Sequence, residues 1–420
     1  MKTNTLIVIL IFLIFSAISL ITNILGPLVP DIINSFDLSI GLAGFLPFAF
    51  FVAYGVMSVP GGLLIERYSE KTVIVIGFFI AFLASLLFAL IPTFAIALIS
   101  LFTIGIGMAM LQVVINPLLR QAGGDKHFAF NSVLANFFFG AASVVSPLLY
   151  SHLVSNIHTG SQDPFIAMFD GLVSSDLKWV SLYWVFAATS LLMIALVFIV
   201  KFPKVELKED EKIETGAVLT NLLKDRTVWL YFVGIFCYVG SEQGVANWMS
   251  KFLEVYHGVD PATDGAIAIS RFWLMITMGC FAGLFLLKVF DSRSVLRVFA
   301  CGALVALLAA LFGGKSVSLF AFPAIGFFLS IMWSVVFSLG MNSLSSHHGT
   351  FSGILVTGIV GGAIVPLIIG ALAELVGLQI AMLFMLFTLG YVLGIGIWAR
   401  PLVNNATINL RDFFSSKMPS

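Results

Sequence analysis

Apolar residues recur in twelve runs, each near the length a hydrocarbon core demands, and this pattern restricts the chain more than any other feature. The runs lie at about 6–29, 40–65, 72–92, 94–119, 129–154 and 181–202. After a charged gap come about 228–256, 264–288, 295–313, 317–343, 351–376 and 378–399. A helix of about 20 apolar residues crosses a bilayer, and inside one every backbone polar group must be satisfied within its own segment. The expectation is an all-α membrane protein of twelve transmembrane helices, numbered here span 1 to span 12. Composition agrees, since 60% of the 420 residues are hydrophobic and 10% are charged, against about 25% charged in soluble domains. A formal net charge of zero offers no basic surface to nucleic acid.

The start, Met1-Lys2 and an apolar run from Leu6, imitates a secretory signal but has no small-x-small cleavage site, so it reads as a first span. Cys237, Cys280 and Cys301 all fall inside apolar runs without metal spacing and read as inert core residues. Basic residues set the orientation. With the N-terminus inside, the inner side collects Lys2, Arg67, Lys71, Arg120, Lys126, Lys201, Lys204, Lys208, Lys212, Lys224, Arg226, Lys288, Arg293, Arg297, Arg400, Arg411 and Lys417. The outer side holds Lys178, Lys251 and Lys315, so both termini are expected in the cytoplasm.

The charged stretch KVELKEDEKIETG separates the first six spans from the last six and reads as a solvated linker. The expected organisation is a six-helix bundle over 1–202, a cytoplasmic linker over 203–227, a second six-helix bundle over 228–400 and a tail over 401–420. One constant offset aligns three separated places in the two halves. Gly62-Leu-Leu-Ile-Glu-Arg67 falls on Gly283-Leu-Phe-Leu-Leu-Lys288, and Ile104-Gly105 on Ile325-Gly326. The stretch from Phe130 to Ala142 falls on that from Phe351 to Ala363. Two parallel repeats of this kind place a shared cavity at their interface near the bilayer midplane, reached alternately from either side. That is the design of a transporter.

Polar residues inside the spans are the candidates for its site. Glu242 lies near the middle of span 7, in Tyr238-Val-Gly-Ser-Glu-Gln-Gly-Val-Ala-Asn-Trp248. A charge at that depth costs roughly 2.5–3.5 kcal/mol on insertion scales and marks function by default. Gly240 and Gly244 flank it, weakening the helix where a ligand or ion can approach the backbone. Arg271 in span 8 lies at a matching depth, so Glu242 and Arg271 form a candidate ion-coupling pair, either a switch or a static neutralising pair. Amides can hydrogen-bond a polar solute, and aromatic rings can stack on its apolar faces. The candidate amides are Asn23, Gln112, Asn116, Asn136, Gln243 and Asn247, and the candidate stacking rings are Trp248, Trp273 and Trp333. Interhelical hydrogen bonds or ordinary packing explain any one of these equally well. His347 and His348 have no metal-ligand partners in the pattern, and Glu374, near the end of span 11, reads as a solvated charge.

Two six-span halves, the central charged loop and Gly62-x-x-x-Glu66-Arg67-x-x-x-Lys71 between spans 2 and 3 resemble the major facilitator superfamily. The resemblance makes Glu66, Arg67 and Lys71 conformational latches at the inner gate. Four further stretches are similar to the fucose/glucose-galactose (fucose–H+ symporter) family. They are Asn116-Pro117, Tyr238-Val-Gly-Ser-Glu242, Ser330-Ile-Met332 and the glycine-rich run from Ser352 to Pro366. The resemblance implies a secondary active transporter that imports a monosaccharide, coupled to H+ or in some members to Na+. The chain departs from that family where its proton carriers stand: an acid of span 1 is matched by Asn23 and one of span 4 by Gln112. The polar pair of span 5 is matched by Leu134 and Phe137, and an Arg of span 8 by Cys280.

The expected function is therefore import of a hexose or deoxyhexose such as fucose, glucose or galactose across a bacterial inner membrane. It needs no cofactor beyond the coupling ion, and a monomer is expected. A facilitative carrier, an exporter of amphipathic compounds and a non-transporting sugar sensor are the alternatives. No G-x-S-x-G, H-E-x-x-H or nucleotide-binding motif occurs in the required context, so an enzyme is not expected.

Overall fold

The computed structural model describes residues 5–123, 128–200, 202, 216–344 and 347–402. Eleven helical stretches among them are long and apolar enough to cross a membrane. The twelfth is span 7, Arg226–His257, whose acid and amides make it the most polar of the set. The others are Thr5–Phe36 for span 1, Glu70–Leu90 for span 3, Phe94–Gly123 for span 4, Phe128–Asn156 for span 5 and Ser181–Ile199 for span 6. Span 2 is Ile40–Ala43 followed by Phe45–Arg67, and span 8 is Ala266–Val289. Ser292–Phe312, Lys315–Met341, Thr350–Val376 and Leu378–Trp398 complete the set.

Local chemistry sets these ends. Charged residues are spent as caps: Asp225, Asp260 and Asp291 accept the backbone N–H of Thr227, Ala262 and Arg293 at 2.7, 2.9 and 2.9 Å. Gly258, at φ 60°, ends span 7 in the left-handed conformation that a glycine adopts without strain. Span 1 is broken at Asn23–Ile24, giving Thr5–Thr22 and Leu25–Phe36. The cause is Pro27, which has no N–H to give the carbonyl of Asn23 and whose ring crowds it. Span 1 thus runs beyond the 6–29 read from hydropathy, because Pro30 and Asp31 are carried inside its second segment. Spans 10 and 11 are interrupted too, at Ser330–Ile331 and at Gly358–Val360.

Packing repeats between the halves. In the first half span 1 lies on span 5, span 2 on span 4, and span 3 on spans 4 and 6. In the second half span 7 lies on span 11, span 8 on span 10, and span 9 on spans 10 and 12. These are the same pairings shifted by six, so the fold is two pseudo-symmetric six-helix bundles. The halves meet through spans 1 and 7, 2 and 11, and 5 and 8. Large apolar side chains such as Phe198, Phe285, Phe320 and Phe387 stay exposed on the outer surface, where lipid is their solvent. Span ends on the side of the termini are called the near end below, and the opposite ends the far end.

Candidate functional site

Span 7 is the spine of the second half, and its glycines explain how. A Cβ on Gly240 would overlap the Val365 side chain of span 11, and one on Gly244 would lie 3.0 Å from Met385 Sδ of span 12. Gly361 of span 11 in turn sits on the carbonyl of Phe236. The helix runs unbroken from Arg226 to His257. The expectation that Gly240 and Gly244 loosen it for a ligand is therefore corrected: they let spans 11 and 12 close on it.

Glu242 is held half-buried on this helix. Tyr238, one turn earlier, donates its hydroxyl to Glu242 Oε2, and Gln243 Nε2 donates to Oε1 at 3.2 Å. Asn247 Nδ2 donates to the Gln243 carbonyl at 2.8 Å and to Gln243 Oε1 at 3.3 Å. The result is a polar rail in which each donor strengthens the next, ending on the carboxylate. Aromatic rings wall it. Tyr238 meets Trp333 with centroids 6.2 Å apart, and Trp333 stacks on Phe337 at 6.0 Å. Cys280 of span 8 is exposed and gives its thiol to the Ser330 carbonyl at 3.3 Å. Cys280 and Cys301 are exposed, so the reading as core residues holds for Cys237 alone. The family resemblance matches Cys280 to an Arg of span 8.

Arg271 is not brought to Glu242. It precedes Cys280 by nine positions on span 8, and at about 100° per residue the two point to opposite sides of the helix. Arg271 shares the exposed stripe of Leu274, Met278 and Phe285, which face outward from the bundle. No Glu242–Arg271 ion pair forms among the described residues, so the candidate pair is absent from this structure. Trp273, seven positions before Cys280 and so about two turns away, shares the inward face. It is 5% exposed, and its indole N–H has no partner among the described residues.

The remaining candidates separate. Trp248 is 1% exposed and donates to the Pro366 carbonyl at 3.0 Å, which makes it an anchor between spans 7 and 11 rather than a stacking face. Asn23, at the break in span 1, donates to Ser143 Oγ at 2.8 Å and Ser19 Oγ at 3.3 Å. Ser19 also reaches the Phe139 carbonyl at 2.6 Å, so this cluster clamps span 1 to span 5. Gln112 is half-buried on span 4 and Asn136 is exposed on span 5. The side chains of Asn116, Glu66, Arg67 and His348 lie outside the described residues. Lys71 binds the carbonyls of Phe198 and Val200, each at 3.1 Å. It completes the C-terminal end of span 6, where unpaired carbonyls attract a cation. In this structure Lys71, expected as a latch at the inner gate, ties spans 3 and 6 within one half. A cavity of about 720 Å³ at the far end, lined by Asp31, Asn34, Lys178 and neighbours, belongs to the first half.

A bundle of two repeated halves, with a walled carboxylate on the spine of one, defines a membrane carrier. The description Major Facilitator Superfamily matches residues 11–366. The glucose/galactose transporter of Brucella abortus is 30% identical over 397 residues, spanning 92% of this chain and 92% of that one. The L-fucose-proton symporter of Escherichia coli is 27% identical over 368 residues, covering 84% of each. Among solved structures, a variant of the E. coli fucose:proton symporter superposes with a TM-score of 0.67 at 24% identity, over 95% of this chain and 100% of that one. A bacterial homologue of the human lysosomal transporter Spinster, inward-facing and occupied, gives 0.74 at 16% identity over 94% and 95%. The chain belongs to the major facilitator superfamily, and within it to the fucose/glucose-galactose family. It is a transporter and not an enzyme.

Proposed function

We propose that this transporter imports a monosaccharide, a hexose or deoxyhexose, and that Glu242 couples uptake to H+ or Na+. The observation that carries the reading is the setting of Glu242. It is a membrane-embedded carboxylate supplied with two donors, Tyr238 and Gln243, and with no paired Lys or Arg among the described residues. An acid left without a counter-charge at this depth is costly, and a coupling ion removes that cost each cycle. With H+ the carboxyl is neutralised directly. With Na+ it stays charged, and further oxygens must complete the shell.

The sugar is placed beside it. Gln243 and Asn247 offer amides, and Trp333 and Trp273 offer ring faces and a free indole N–H. Gln112, Asn116 and Asn136 are the contributions proposed from the first half. The bias of Lys and Arg puts both termini in the cytoplasm and the far end outside, and a bacterial inner membrane suits the named relatives. The test is uptake of labelled L-fucose, glucose and galactose into energised vesicles under imposed pH or sodium gradients. Accumulation above the external concentration under one gradient is expected. Equilibration without accumulation under either gradient would replace symport with facilitated diffusion.

A further inference from the structure

The far ends of the two halves are shut against each other, and one side chain crosses between them. Span 2 begins there, with Ser39 accepting the Leu42 N–H at 3.2 Å. The first N–H groups of a helix have no partner within it. The next of these, on Gly41, donates to Glu374 Oε1 at 3.1 Å, and Glu374 belongs to span 11 of the other half. A carboxylate at the positive end of a helix is held by charge as well as by the hydrogen bond. Glu374 has no paired Lys or Arg among the described residues, so this helix end is its partner.

The seam around it leaves no slack. A Cβ on Gly41 would lie 2.6 Å from Glu374 Cδ. One on Gly44 would lie 3.2 Å from Leu367 Cα, and one on Gly370 would lie 3.0 Å from the Ile40 carbonyl and from Trp248 Cζ2. In the neighbouring seam, between spans 1 and 7, a Cβ on Gly26 would overlap the Ala246 carbonyl. Backbone meets backbone across both seams, so small separations of the halves there break contacts outright.

We infer that Glu374 is the latch of the far gate, a conformational positioning residue whose carboxylate holds the start of span 2 and favours closure on that side. The inference rests on the reading of the chain as an alternating-access transporter with its far end outside. A bond from a charged group to a helix end is made only when the halves are together there, so it weights the closed state alone. Because Glu374 is exposed, its expected effect on the closed-to-open ratio is about threefold.

The test uses the full chain in lipid nanodiscs, with the three cysteines replaced by serine and spin labels at Asp37 and Thr263, one on each half. Electron–electron distance measurements report the far gate without any substrate. Glu374→Gln keeps the shape and removes the charge, and is expected to move population from the short to the long distance by about threefold. Gly41→Ala leaves Glu374 intact but forces its carboxylate away, and is expected to open the gate in the same direction. Both variants are first required to elute as single species with the melting behaviour of the parent. If one fails that requirement, the other carries the test. Distance distributions that superimpose on the parent's overturn the latch, whatever the chain carries. A failed sugar screen would overturn the proposed substrate and leave this readout standing.

Discussion

Spans 1 and 7 hold equivalent places in the two halves, yet they use their polar residues in opposite ways. Span 1 is broken by Pro27, and the side-chain amide at the break, that of Asn23, is consumed by Ser19 and Ser143 of its own half. Span 7 is unbroken, and its rail from Asn247 through Gln243 ends on a half-buried acid that has no counter-charge among the described residues. Satisfied neutral groups hold helices together, and an unneutralised acid is available for exchange. Asn23 and Gln112 stand where the family resemblance implies acids, so the proposed coupling rests on the second half, through Glu242.

That contrast can be broken at several points. Tyr238→Phe removes a charge-assisted bond from Glu242, a change worth about 1.5–3 kcal/mol, so gradient-driven uptake should fall roughly ten- to a hundredfold with the fold intact. A change under twofold would show that the rail does not serve the acid. Asn23→Ala should act the other way. Leaving Ser19 and Ser143 short of a donor costs about 1–3 kcal/mol of stability, seen as a lower melting temperature in detergent, while ion dependence is retained.

A smaller effect is expected at Asp291, in the loop between spans 8 and 9. The side-chain hydrogen bonds of Arg293 hold its carboxyl below the usual carboxylate value. A lowered folded value means the contribution is present above the unfolded value, about 3.9, and is lost as pH falls through the folded one. Because the group is solvent-accessible, Asp291→Ala should cost only about 1 kcal/mol, chiefly as a lost cap, and the difference from the parent should vanish in acid. Arg271→Gln is expected to have the smallest effect, leaving uptake within about twofold, since Arg271 projects from the outer face. Loss of coupling in that variant would restore the Glu242–Arg271 pair in some other state of the cycle.

Much of the architecture was legible in the sequence because each span must be apolar along its whole length, and the repeat offset located the halves. Glu242 was legible because an acid at mid-depth has few innocent explanations. Facing was harder to read. Depth pairs Arg271 with Glu242 but does not carry the helix face, and an apolar run places Cys280 in the core without excluding exposure. The glycines of span 7 are indistinguishable in sequence from hinge glycines until Val365 and Met385 are seen to fill their clefts. Lys71 and Glu374 needed tertiary structure, because each binds backbone groups far away in the chain. Hydrogen bonds to main chain leave no mark in the partner's side chain.

The central claim is that the coupling ion passes through Glu242. The direct measurement is sugar-evoked ion flux in proteoliposomes, recorded beside sugar counterflow for the parent and for Glu242→Gln. The account predicts that the parent shows both, and that the variant keeps counterflow while its sugar-evoked flux drops to background. Undiminished flux in a variant that still exchanges sugar would contradict it.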